Sequence, residues 1–243
     1  MNRPPLIFDI ETIGDITADN RDEIAALAAG REQTPDAYAA LCPPLARVVC
    51  VAYFDRSAQR LGVVFDVSLS PGEVPGALEV DDGTLAGNPV ACGLQGCHGE
   101  AAVLAAFGRV VDKHLAQPNG QLVTYNGRGF DLPVLIHRSV KHDVIDGRAL
   151  LVKAMNESRY RPSLHVDVMD VVTFCGAGKR WPMSTYAVGY GYSSPKTEMD
   201  GSQVSAAVQA GRLIDVVRYC ARDVLATAHI FERTSSLLAT PDR

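Results

Sequence analysis

An apolar run that ends in two carboxylates constrains this chain more than any other feature. Residues 6–8 are apolar, and Asp9, Ile10 and Glu11 follow them. Because successive side chains of a β-strand point to opposite faces, Asp9 and Glu11 share one face and Ile10 takes the other. Two carboxylates held together at the end of an apolar strand repel each other unless a cation lies between them. Hard divalent cations such as Mg²⁺ and Mn²⁺ prefer oxygen ligands. The stretch therefore predicts either a metal site or a strand that ends in a solvated turn, and matching carboxylates elsewhere would favour the first.

The composition is that of a globular protein. The chain has 243 residues, of which 47% are hydrophobic and 21% are charged. It has no apolar run of about 18 residues and no signal-peptide pattern, so we expect a cytoplasmic protein without a membrane partner. The net charge of −5 argues against a protein that wraps nucleic acid through broad electrostatics, but it allows a nuclease with an acidic metal site. The cysteines are expected to be free thiols, and Cys92, Cys97 and His98 match no common zinc site.

The order of the predicted elements indicates an α/β protein with a mixed sheet. Apolar runs and alternating patterns predict strands that include the Asp9 stretch and residues 47–54, 61–67, 122–125 and 164–169. Helical spacing predicts helices at residues 20–29, from about 35, and at 100–115, 130–140, 185–189, 202–211 and 213–238. Residues 69–97 are rich in Gly and Pro and predict a loop or an insertion. A five-stranded mixed sheet flanked by helices, in one domain spanning residues 1–243, fits this order.

Carboxylates that could join the first pair recur in two later stretches. Asp131 follows a predicted strand and lies on the first turn of a helix, where the helix dipole favours a carboxylate. Tyr219 and Asp223 are four residues apart, so they share one face of the C-terminal helix among apolar neighbours. Each feature alone also fits a structural role, as an ordinary first-turn acid or as a Tyr–Asp pair satisfied by backbone groups. His165, beside the last predicted strand, is interpreted as structural or as a support for the residues of the site.

Taken in chain order, the patterns D-x-E, N-x-x-x-F-D and Y-x-x-x-D resemble a known set of motifs. They are similar to the three motifs of the DEDD superfamily of 3′–5′ exonucleases, in its tyrosine-containing branch. The chain most resembles the predicted exonucleases related to the proofreading domain of family-B DNA polymerases. The resemblance implies a ribonuclease-H-like fold with sheet order 3-2-1-4-5. It covers nearly the whole chain except residues 15–45 and 69–97, which are expected to hold insertions.

The resemblance also assigns roles to the acidic residues and the tyrosine. It implies that Asp9, Glu11, Asp131 and Asp223 bind two divalent cations, Mg²⁺ or Mn²⁺. Such a pair of ions can activate a water and stabilise the leaving oxygen of a phosphodiester. Tyr219 would orient the attacking water or help to deprotonate it.

The residues expected to contact substrate lie around the same motifs. The resemblance implies substrate contacts from Thr12, Asn126, Phe130 and Lys196, with Asn126 and Phe130 bordering the terminal nucleotide. Residues 159–161 (Arg-Tyr-Arg) and 179–181 (Lys-Arg-Trp) are basic and aromatic. Each of these two segments can be read as a guide for single-stranded nucleic acid or as solvated surface.

The expected activity is metal-dependent hydrolysis of single-stranded DNA from a free 3′ end, with release of nucleoside 5′-monophosphates. One alternative is an exoribonuclease of the same superfamily, because the choice of sugar depends on contacts to the 2′-position. Another is a non-catalytic nucleic-acid-binding module, although the presence of all four acids and the tyrosine counts against it. A role in replication or repair would come through a partner protein.

Overall fold

A seven-stranded mixed β-sheet forms the centre of the protein in a computed structural model, which describes residues 5–70, 75–81, 83, 88–193 and 199–238. The strands are β1 (Pro5–Gly14), β2 (Ala46–Asp55), β3 (Arg60–Asp66), β4 (Leu78–Asp81), β5 (Pro89–Cys97), β6 (Gln121–Thr124) and β7 (His165–Asp167). Their order across the sheet is β4-β5-β3-β2-β1-β6-β7. Strands β1, β6 and β7 run parallel to one another, as do β3 and β5, and the remaining pairs are antiparallel.

The predicted five-stranded sheet is wrong in strand number and in overall order. Residues 69–97, expected to form a loop or an insertion, contribute β4 and β5, which extend the sheet beyond β3. Most side chains of β5 are exposed or half-buried, so the strand carries little apolar pattern and is held by its backbone pairing with β3. A glycine suits position 96 of this strand, because a Cβ there would lie 2.6 Å from Val67 Cγ1. Within the larger sheet, β3, β2, β1, β6 and β7 are adjacent in the order proposed for the five predicted strands.

Helices cover both faces of this sheet. They are α1 (Arg21–Ala29), α2 (Pro35–Leu41), α3 (Glu100–Leu115), α4 (Asp131–Lys141), α5 (Arg148–Met155), α6 (Val168–Val172), α7 (Met183–Gly189), α8 (Val204–Gln209) and α9 (Leu213–Thr234). Helix α5 was not predicted, and the last predicted strand was too long, because α6 begins directly after Asp167. The Asp167 side chain caps α6 by accepting a hydrogen bond from the Met169 amide at 3.0 Å. None of the described helices has the length and the apolar character that crossing a membrane requires.

Two apolar layers separate the helices from the sheet. Consecutive residues of β1 belong to different layers. Ile7 is in the cluster that includes Val217 of α9, whereas Phe8 packs against Phe107 of α3. This alternation is what a strand between two helical layers requires. Helix α9 therefore lies on one face of the sheet, and α3 and α4 lie on the other.

A buried ion pair fixes α4 against the rest of the protein. The Arg138 side chain is 1% exposed and donates hydrogen bonds to Glu100 Oε1 at 2.8 Å, the Pro44 carbonyl at 2.9 Å and Asp15 Oδ2 at 2.7 Å. Buried charges need such partners, because desolvating an unpaired charge is costly. The cluster joins α3 and α4 to the segment that follows β1 and to the one that precedes β2. It thereby sets the position of Asp131, the first residue of α4.

Candidate active site

The first pair of carboxylates lies on a strand in the interior of the sheet. Asp9 is paired with Ala52 of β2, and Glu11 is paired with Cys50. A bulge between Glu11 and Thr12 shifts the register immediately after the pair. Glu11 is buried and Asp9 is half-buried. Their side chains thus project from a strand that is paired with β2 on one side and with β6 on the other.

The turn before α4 brings Asp131 to the same site. Asn126 adopts a positive φ of 61° at the end of β6. The Asp167 carboxylate clamps this turn, since it accepts hydrogen bonds from the Asn126 amide at 2.8 Å and the Arg128 amide at 3.0 Å. Asp131 then enters the first turn of α4 with only 3% of its surface exposed. Its carboxylate accepts hydrogen bonds from its own amide and from the amide of Ile10 on β1.

Helix α9 supplies the third part of the site. Tyr219 and Asp223 are buried on the face of α9 that packs on the sheet, and they are hydrogen-bonded to each other. Cys220 lies between them in sequence, with its Sγ 3.5 Å from the Asp9 carbonyl oxygen and 3.8 Å from Asp9 Oδ2. Ligand atoms of Asp9, Glu11 and Cys220 all lie within 4.8 Å of one another. Sequence reasoning missed Cys220, because its position next to Tyr219 does not reveal what it faces.

The charges of the four acids act on one another. Burial raises the pKa of Asp9 well above its ordinary value, and the charges of Asp131 and Asp223 raise it further. The pKa of Glu11 is raised by burial first and then by Asp9. Burial raises the pKa of Asp131 to about 7. Carboxylates from three distant stretches of the chain therefore share one desolvated region, where they cannot all ionise freely without a compensating positive charge.

The residues present suit a divalent cation. Among the described residues, the buried Oδ1 atom of Asp131 has no hydrogen-bond partner, although most buried polar atoms have one. Oxygen atoms of clustered carboxylates are the ligands that Mg²⁺ and Mn²⁺ prefer. A cation would both satisfy this oxygen and relieve the repulsion among the acids.

The residues expected to contact substrate occupy different settings. Asn126 and Phe130 are half-buried in the turn that leads to Asp131. Thr12 is buried, and its hydroxyl donates a hydrogen bond to the Ala40 carbonyl at 2.8 Å, which ties β1 to the end of α2. Lys196 lies outside the described residues.

His165 is buried within the fold, and the cysteines are not paired in disulfides. Nε2 of His165 lies 2.8 Å from Thr124 Oγ1, and burial lowers the pKa of His165 to about 3, so the ring is neutral. All six cysteines are free thiols, as predicted.

The fold places a mixed β-sheet between helices, and acids converge on one site from β1, α4 and α9. The chain is similar to the solved structure of the family B DNA polymerase from the hyperthermophilic archaeon Pyrobaculum calidifontis, with a TM-score of 0.55 and 18% sequence identity. The match covers 96% of this chain and 24% of the polymerase chain, so this protein spans about a quarter of the polymerase's length. At this identity the likeness shows the fold alone.

The family follows from sequence. Residues 93–241 match the family described as predicted 3′–5′ exonuclease related to the exonuclease domain of PolB, and the chain belongs to this family. The matched range includes Asp131, Tyr219 and Asp223, whereas Asp9 and Glu11 precede it. No curated protein matches the chain.

Proposed function

We propose that this protein is a metal-dependent 3′–5′ exonuclease that hydrolyses single-stranded DNA and releases nucleoside 5′-monophosphates. The observation that carries the proposal is the convergence of four carboxylates, three buried and one half-buried, in a chain of this exonuclease family. A non-catalytic module would have no reason to hold these repelling acids together at the expense of stability. The likeness to a polymerase suits a role in replication or repair, exercised through a partner protein.

The four acids would hold the cations. Asp9, Glu11, Asp131 and Asp223 would bind two ions, Mg²⁺ or Mn²⁺. When bound, such ions supply the positive charge that polarises a phosphodiester and makes a water more acidic. The side chains themselves contribute position, because β1, α4 and α9 are each fixed by packing.

Tyr219 would orient the attacking water rather than take its proton. Burial raises the pKa of Tyr219, and the charges of Asp223, Glu11 and Asp9 raise it further, so the phenol stays protonated. A phenol that is hydrogen-bonded to Asp223 keeps oxygen lone pairs that can accept a hydrogen bond from a water. The hydroxyl can therefore align a water without becoming a base.

The terminal nucleotide would lie against the turn before α4. Asn126 and Phe130 would border this nucleotide, with Phe130 stacking on its base and Asn126 forming a hydrogen bond to it. Thr12 would contact the substrate near the C-terminal end of β1, where its hydroxyl donates a hydrogen bond to the Ala40 carbonyl. Lys196 would contact a phosphate.

A 5′-labelled single-stranded oligonucleotide tests the proposal, because digestion from the 3′ end produces a ladder of shortened labelled products. DNA and RNA substrates are each incubated with Mg²⁺, with Mn²⁺ and with EDTA. We expect a ladder with metal and none with EDTA, and no ladder from Asp9→Asn. Asp19→Asn makes the same chemical change at an exposed position and serves as the control. Equal digestion in EDTA, or wild-type activity in Asp9→Asn, would refute the proposal, and the ratio of DNA to RNA rates decides the sugar preference.

A further inference from the structure

Two cavities with shared walls lie beside β7, at the edge of the sheet. The smaller has a volume of about 290 Å³ and starts at Asn126 and Gly129, in the turn that leads to Asp131. The larger has a volume of about 860 Å³ and extends along α6. Both are lined by Arg128, Arg159, Asp167 and Asp170. The two cavities and their shared walls are called the edge groove, which begins at the turn that leads to Asp131.

The acids that line the edge groove are already engaged. Asp167 accepts backbone amides of the neighbouring turn and of α6. Glu157 accepts the amides of residues 163–165. Asp170 is bound by Arg159 and lies 3.6 Å from the Nε atom of Arg128. These acids stabilise the local structure, and their partners are backbone amides and arginines of the protein itself.

Two arginines of the edge groove are left to meet a ligand. Arg161 lines the larger cavity and Arg180 lines the smaller one. Both are exposed, and neither forms an ion pair with any residue in the described part of the chain. Each comes from one of the two basic and aromatic segments of the sequence, which the fold brings to the same groove.

Large aromatic side chains accompany these arginines. Tyr160 and Phe174 line the larger cavity and are 73% and 66% exposed. Trp181 follows Arg180 and is 47% exposed, with Lys179 Nζ 4.3 Å from the centre of its ring. The Tyr125 hydroxyl donates a hydrogen bond to the Trp181 carbonyl at 2.8 Å, which holds this segment beside the end of β6. Exposed apolar rings next to unpaired cations are typical of a surface that binds unpaired bases.

We propose that the edge groove binds the single strand of nucleic acid that lies upstream of the terminal nucleotide. Phosphates would contact Arg161 and Arg180, and bases would stack on Tyr160, Phe174 and Trp181. The occupant is a single strand because a duplex hides the base faces that these rings would stack on. With a net charge of −5 on the chain, binding must depend on such a local positive surface. The inference rests on the proposed function, which places the 3′-terminal nucleotide next to Asn126.

Binding is measured in EDTA, so that no hydrolysis occurs, by the fluorescence anisotropy of a labelled 12-nucleotide oligothymidylate. For a single strand, each phosphate contact contributes about 0.7 to the slope of log affinity against log salt concentration. The double variant Arg161→Gln/Arg180→Gln removes two such contacts, so the magnitude of this slope should fall by about 1.4. The control Arg21→Gln/Arg31→Gln removes the same charge from exposed positions at and beyond the ends of α1 and should keep the wild-type slope.

Stacking is tested with substitutions of Trp181. Replacement by alanine should weaken binding between about 5-fold and 150-fold, and replacement by phenylalanine should restore most of the loss. Circular dichroism confirms that each variant is folded. Equal weakening by Trp181→Ala and Trp181→Phe in folded proteins would overturn the stacking role.

The inference and the proposed function can fail separately. A protein that digests DNA with Mn²⁺ but whose arginine double variant keeps the wild-type salt slope has no edge-groove site, while the proposed function stands. A protein that binds the strand through these arginines but hydrolyses nothing with any metal retains the groove and loses the proposed function. Duplex DNA that binds as tightly as the single strand, with the same dependence on Arg161 and Arg180, would overturn the assignment of the occupant.

Discussion

Replacing Asp131 by asparagine should stabilise the metal-free protein at neutral and alkaline pH. The ordinary pKa of an aspartate is 3.8, and burial raises that of Asp131 to about 7. The folded protein therefore keeps this proton over a pH range in which the unfolded chain has lost it. The stability that the group contributes is complete below pH 3.8 and is lost as the pH rises to about 7. Asparagine has no proton to lose, and its oxygen can still accept the backbone amides that Asp131 accepts.

The size of the effect follows from the two pKa values. At about 1.4 kcal/mol per pKa unit, the difference between 3.8 and about 7 corresponds to about 4 kcal/mol. Relative to wild type, Asp131→Asn should therefore gain stability steadily between pH 4 and 7 and reach a plateau above pH 7. For a chain of this length, about 4 kcal/mol corresponds to a rise in Tm of roughly 8–16 °C.

The measurement is thermal unfolding in EDTA from pH 4 to pH 8. Asp66→Asn is the matched control, because Asp66 is also buried but its pKa is shifted in the opposite direction. Burial alone would raise the pKa of Asp66, yet hydrogen bonds from Ser68, Gly99 and Arg47 hold it below the ordinary value. Its contribution is therefore present above pH 3.8 and is lost as the pH falls, so Asp66→Asn should be less stable than wild type at pH 8. A wild-type Tm for Asp131→Asn at pH 8, or a difference that does not change with pH, would refute the reasoning. Saturating Mn²⁺ should reverse the order of wild type and Asp131→Asn, since an ion that binds only the folded state stabilises it.

Three further outcomes are expected. Tyr219→Phe should keep Mn²⁺ affinity in calorimetry and lower the single-turnover rate by about 10²–10⁴-fold. Asp223→Asn should lose both metal affinity and turnover. A wild-type rate in Tyr219→Phe would show that the hydroxyl takes no part in the reaction. A 3′-phosphate should slow digestion, and a circular single strand should survive, so cleavage of the circle at a comparable rate would indicate an endonuclease. Arg138→Met leaves Glu100 buried without its main partner and should cost about 3–5 kcal/mol in urea unfolding; a loss below about 1 kcal/mol would show that the pair does not anchor α4.

Local rules predict the separate parts of the candidate acidic site from the sequence. Alternation along β1 puts Asp9 and Glu11 on one face, and helical spacing does the same for Tyr219 and Asp223. The position of Asp131 follows from a strand, a turn and a helix start in close succession. None of these rules gives the distances between the three parts, which depend on how α4 and α9 pack on the sheet.

The parts that could not be predicted depend on contacts between distant residues. Strand β5 has few buried side chains, so its sequence shows little apolar pattern. It is held by backbone pairing with β3, which the sequence does not reveal. Strand β7 is short because the Asp167 carboxylate binds amides of α6 and of the Asn126 turn, which no local pattern records. The two basic and aromatic segments look like ordinary surface until the fold brings Arg161 and Arg180 to one groove.

The position of α9 has a consequence for the life of the protein in the cell. Cys220 touches Asp9 across a separation of 211 residues, so the first and last parts of the site meet only when nearly all of the described chain has folded. While α9 is still inside the exit tunnel of the ribosome, Tyr219 and Asp223 cannot reach the site, and its set of acids is incomplete. Because domains fold as their residues emerge, the sheet can form before the site is complete. Under the proposed function, nuclease activity therefore begins only after α9 has left the exit tunnel and packed on the sheet.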